Sequence, residues 1–112
     1  MKTKLSFIIV FEDGGIGEQD EVIDLISEIV QEFKTIKKQL YLVIDFKAVT
    51  IASSRLLGAI GKASTQEIVS GVDLTNVQPQ IKNAATRFNF EQTDSKIRVY
   101  DLLRRDSVDV VE

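Results

Sequence analysis

Two short, mostly apolar runs constrain this chain more than anything else in it. Leu5 to Phe11 reads LSFIIVF and Leu40 to Phe46 reads LYLVIDF. Each is too short for a fully buried helix and rich in β-branched and aromatic residues, so each predicts a buried strand. The second run holds Asp45 near its end and predicts a central strand buried on both faces, as in parallel pairing. Between the runs, Val22, Ile26, Ile29, Val30 and Phe33 fall on one helical face. Glu18, Asp20 and Glu21 gather at the start of that segment and Lys34, Lys37 and Lys38 at its end, which suits the helix dipole. The pattern predicts a helix over about residues 18–37.

The alternation continues downstream. Ser53 and Ser54 precede a second helical face made by Leu56, Leu57 and Ile60. Gly58 and Gly61 lie within it. Glycine inside a helix costs about 1 kcal/mol relative to alanine, so the pair predicts a helix backbone lying close against a neighbour. Ile68 to Leu74, interrupted by Gly71, reads as a weaker strand. Pro79 suits the first turn of a third helix, whose inner face is Ile81, Ala84, Ala85 and Phe88. Ile97 to Tyr100 is the last strand. The tail, Asp101 to Glu112, reads either as extended chain or as a short helix capped by Ser107. The order β-α-β-α-β-α-β predicts an α/β fold with a mostly parallel or mixed sheet of four to five strands, packed by three to four helices.

A chain of 112 residues that is 44% hydrophobic supports one core, so a single compact domain is expected over residues 1–112. There is neither cysteine nor histidine. A Ser-His-Asp triad and a thiolate or imidazole zinc site are therefore impossible, and the chain reads as a non-enzyme with no metal or cofactor. Fourteen basic and 17 acidic residues are interspersed, for a net charge of −3, which is not the footprint of a nucleic-acid binder. No apolar run approaches the ~20 residues that span a bilayer, and no signal peptide is legible. The expectation is a cytoplasmic protein with no membrane insertion.

Function points to the end of the second strand. Asp45 stands at its carboxyl end, where α/β folds usually place their sites. Serine is a preferred N-cap, but one helix start needs only one cap, so the pair Ser53 and Ser54 leaves one serine over. A phosphoryl group on a serine at a helix start is electrostatically favoured. A rival site is the turn Glu12-Asp13-Gly14-Gly15-Ile16-Gly17. It lies between strand and helix, but its spacing matches neither the dinucleotide fingerprint nor the P-loop. A small nucleotide-binding α/β protein using this turn and Asp45 stays open as an alternative.

The stretch from Leu42 to Ile60, LVIDFKAVTIASSRLLGAI, resembles the core of a STAS domain, the family of bacterial anti-sigma factor antagonists and their relatives. That family has an apolar strand, a short loop, Asp-Ser and then a helix carrying Leu-Gly. Leu57-Gly58 matches the Leu-Gly without a gap, which places Ser54 on the family's phosphoacceptor serine, with Ser53 as second choice. Asn76 to Pro79 resembles the family's next helix start. The resemblance covers residues 5–100 and implies a regulatory module that docks on a protein partner, an anti-sigma factor that is also a serine kinase. It implies a partner-binding surface of Asp45, Ser53, Ser54, Arg55 and Gly58. Ser53 stands where the family has Asp, and Arg55 and Leu56 replace small residues. A second family Asp falls on Gly17 or is lost, and the leading strand is shortened. An alternative keeps the fold without phosphorylation, as a scaffold or subunit of a transporter or stress-signalling complex.

Overall fold

Among the described residues each strand pairs with the next strand in sequence, in parallel, giving a four-stranded sheet in the order β1-β2-β3-β4. The computed structural model describes residues 4–88, 90 and 95–102. The elements are β1 (Lys4–Val10), α1 (Ile16–Ile36), β2 (Gln39–Asp45), α2 (Ser54–Ser64), β3 (Val69–Val77), α3 (Pro79–Arg87) and β4 (Ile97–Asp101). Among the described residues the sheet is wholly parallel. The candidate helix at Ser107 lies outside the described residues.

Every connection steps one strand in the same direction. Right-handed crossovers that all step the same way put all their helices on one face of the sheet. The burial pattern agrees. Leu40, Leu42 and Ile44 of β2 are fully buried under the helices, while Tyr41, Val43 and Asp45 between them are half-buried on the other face. Registers carry this division across the sheet. Ile9 pairs with Ile44 and Ile44 with Leu74 on the covered face, and Ile8 pairs with Val43 and Val43 with Asp73 on the open one.

The expectation that β2 is buried on both faces is therefore corrected: one face is covered by helices and the other is not, among the described residues. The same holds more strongly for β1. It is an edge strand, and of its seven residues only Ile9 is buried. Its apolar run reflects two partly exposed faces, because the helix layer does not extend over the sheet's outer edge.

The open face carries its own polar arrangement. Tyr41 Oη donates to Asp73 Oδ1 at 2.7 Å, and Lys4 Nζ sits 5.8 Å from the centre of the Tyr41 ring. Burial, then the neighbouring Asp73, raises the Tyr41 phenol above its ordinary pKa. Gly71 is pressed under that ring: a Cβ there would meet Tyr41 Cε2 at 2.5 Å. The glycine that breaks up the third strand's pattern thus provides room for an aromatic on its neighbour.

The core lies between sheet and helices. Val22, Ile26, Ile29, Val30 and Phe33 line α1, Leu56, Leu57, Ile60 and Ala63 line α2, and Ile81 and Ala85 line α3. Phe46 and Val49, just past β2, are fully buried, and the Phe11 ring packs edge-on against Phe46 at 5.8 Å. Gly61 of α2 lies against Phe90, as expected of a close-packed glycine, but Gly58 has no atom within 4 Å of where a Cβ would be. It is bare because it falls on the solvent side of α2, one position past the buried Leu57.

Candidate functional site

The carboxyl ends of β1 and β2 are joined by loop-on-loop packing. Gly14 has φ +73°, and a Cβ on it would lie 2.3 Å from the Ala48 carbonyl oxygen. Only glycine combines that backbone conformation with so close an approach. The chain thereby brings the turn at residues 12–15 down onto the loop at residues 46–52, which leads into α2.

Gln19 fixes the same junction. Its side chain has no exposed surface, although it belongs to the first turns of α1. Nε2 donates to the carbonyl oxygens of Gly14 and Ile51, both at 2.8 Å, and Oε1 accepts from the Ser53 N–H at 2.9 Å. A buried amide with both amide protons and its oxygen engaged has no unmet polar demand. Sequence reasoning missed this residue. The available signal was its position: Gln19, Val22 and Ile26 share one helical face, so a glutamine stands where the pattern calls for an apolar side chain.

The two serines are then separated by function. Ser53 is the N-cap of α2, extended at φ −72° and ψ 152°, and its Oγ accepts from the Leu56 N–H at 3.1 Å. Ser54 is the first helical residue and is exposed. Among the described residues its hydroxyl makes no hydrogen bond within the protein. Arg55 projects beside it and pairs with Asp20 of α1 at 2.9 Å, an exposed ion pair of small energetic weight. Ile51, three residues before Ser54, is 74% exposed, and Ile16 at the start of α1 is 57% exposed.

Asp45 is turned to other partners. Its Oδ1 accepts from the Lys47 N–H at 2.8 Å and from Asn76 Nδ2 at 3.1 Å, tying the end of β2 to the end of β3. Asn76 adopts φ 55° at that join. Among the described residues no hydrogen bond links Asp45 to either serine. Arg55 and Gly58 also line an open groove of about 540 Å³ between α1 and α2, with Ile23, Ser27, Lys34 and Lys62 among its other walls.

The glycine turn is already filled by the chain itself. The backbone N–H groups of Glu12, Asp13 and Gly14 donate to the Glu18 carboxylate at 2.7, 3.1 and 2.8 Å, and the Gly15 N–H donates to Asp13 Oδ1 at 2.7 Å. Those bonds hold the Glu18 carboxyl below the usual carboxylate range. The backbone donors of this turn are thus occupied by carboxylates of the chain itself. Among the described residues no group of three or more acidic side chains gathers as a metal site, and no helix is long and apolar enough to cross a membrane.

No protein-family profile, no curated protein and no solved structure matches this chain.

Proposed function

We propose that this protein is a STAS-type regulatory module, an anti-sigma factor antagonist that docks on a protein partner through the start of α2 and is switched by phosphorylation of Ser54. The observation that carries the reading is the division between the two serines. Ser53 caps the helix, so Ser54 is exposed and its hydroxyl is free of any structural duty. A phosphoryl group on Ser54 would add about −1.5 to −2 charges at the positive end of a helix. The same charge would stand beside exposed Ile51 and oppose docking of an apolar or acidic partner surface. The partner class, an anti-sigma factor with serine kinase activity, comes from the resemblance of residues 42–60.

Intact-mass measurement of the protein purified from its native cell tests the switch. A single added phosphate in wild type and none in Ser54→Ala is the expected result. A phosphate that persists in Ser54→Ala, or is never found under any growth condition, overturns it.

The Arg55–Asp20 pair favours a second reading. Where the family carries an acidic residue before the serine, this chain has Ser53, and its neighbour Arg55 is held by α1. A constitutive subunit of a larger assembly would dock through the same surface without modification. Capture of one partner equally by wild type, Ser54→Ala and Ser54→Asp distinguishes this reading from the first.

A further inference from the structure

The two edges of the sheet are built differently. β4 carries Arg98 and Asp101, its ladder with β3 is irregular between Leu74 and Val77, and Lys82 pairs with Asp101 beside it. Charges and irregularity of that kind blunt an edge against further pairing. β1 has almost none of these devices. Its seven residues contain no proline, no glycine and one charge, Lys4, at the start, and its ladder with β2 runs without a shift. Of the nine large hydrophobic residues exposed among the described residues, four are on this strand: Leu5, Phe7, Ile8 and Val10. Its outer edge presents a row of backbone groups that no described strand pairs.

We infer that β1 is a self-pairing edge, through which two copies of this chain join antiparallel about a two-fold axis at Phe7. The sequence of the strand selects this occupant and this direction. In the full-overlap register, Phe7 faces Phe7 and Leu5 faces Ile9 of the second copy, all on the helix-covered side. On the open side Ser6 faces Ile8. On the covered side apolar side chains thus meet apolar ones across the seam, and the partly exposed Leu5 and Phe7 join the core. Charge supports the same choice. In this register Lys4 faces Val10 of the second copy, with Glu12 one diagonal position beyond it, so an antiparallel copy brings a basic start toward an acidic end at both limits of the seam. A parallel copy would set Lys4 against Lys4. The antiparallel pairing is isologous and closes after two copies. It lies on the outer side of β1, whereas the loop carrying Ser53 and Ser54 follows β2.

Sedimentation velocity of the full chain over a concentration series tests the inference. A monomer–dimer equilibrium is expected, and Ile8→Lys abolishes the dimer while keeping the native circular dichroism. Lys4→Glu and Glu12→Lys each weaken the dimer about tenfold, since attraction becomes repulsion at two symmetric places, and the combined Lys4→Glu/Glu12→Lys variant recovers it. Both charged side chains are exposed, so this set decides the matter even if Ile8→Lys does not fold. A chain that stays monomeric up to about 1 mM overturns the inference. So does a dimer whose dissociation constant ignores the charge exchange, which would show that the edge is covered by something other than a second antiparallel copy.

Discussion

Gln19 and Ser53 stand 34 residues apart in the chain and are joined by one bond, from the Ser53 N–H to Gln19 Oε1 at 2.9 Å. Through it the first turns of α1 hold the cap of α2. Ser54 is therefore presented by a junction whose key member lies on another helix.

Gln19→Leu keeps the volume but leaves the Ser53 N–H and the carbonyls of Gly14 and Ile51 without their partner. An unsatisfied buried group costs about 1–3 kcal/mol, and partial rescue by water at Ile51 and Ser53 sets the total at roughly 2–4 kcal/mol. Urea denaturation of the two proteins measures this directly. Partner capture through the α2 surface falls further than the fraction unfolded accounts for, because the cap loses its tether.

The serines separate by stability. Ser53→Ala removes the acceptor for the Leu56 N–H and lowers stability by about 1 kcal/mol, the usual worth of a cap. Ser54→Ala touches no bond and stays within about 0.5 kcal/mol of wild type. Paired thermal melts show the difference, and equal losses would return Ser54 to a structural role.

Two glycines respond in opposite directions to one methyl group. Gly14→Ala meets the Ala48 carbonyl in a left-handed conformation and loses about 3 kcal/mol or more. Gly58→Ala enters open space on a helix and gains about 1 kcal/mol. Melting temperatures fall for the first and rise for the second. The stabilised Gly58→Ala protein then gives a clean reading of docking, since any loss of partner binding is not a loss of fold.

Glu18 makes the turn at residues 12–15 acid-sensitive. Its carboxyl is held below the ordinary 4.5 by the Glu12 and Gly14 N–H groups, so the unfolded state binds its proton first as pH falls. The stability it contributes is present above that ordinary value and is lost as pH drops through the depressed folded one. In Glu18→Gln the acid limb of the stability curve is shallower. Denaturation midpoints between neutral pH and pH 3 for both proteins measure the difference.

Much of the architecture was legible because periodicity records which side chains face the helices. The elements alternate as LSFIIVF, the α1 face, LYLVIDF and the later segments require, and Pro79 opens α3 as its fixed φ suggests. Coverage of the second sheet face was not legible. An apolar run such as LSFIIVF has the same composition on an exposed edge as in a buried centre, and only strand order and crossover hand decide between them. At the site, two adjacent serines before a helical face indicated a cap with one serine over. The hydrogen bonds of Asp45 to Lys47 and Asn76, and the bareness of Gly58, depend on neighbours distant in sequence. Gln19 was hidden for the opposite reason: its mark was a polar residue on an apolar face, which is significant only when its partners across the chain are known.

In a sheet ordered β1-β2-β3-β4, no strand has to insert between two earlier ones. Each strand emerging from the ribosome finds its neighbour already made, and domains are synthesised from the amino terminus. The turn at Gly14, the Gln19 amide, the loop at Ile51 and the cap at Ser53 all belong to the first half of the chain. The surface that presents Ser54 is specified before β4 exists, and changes in the last strand alter how long that surface lasts rather than how it is shaped.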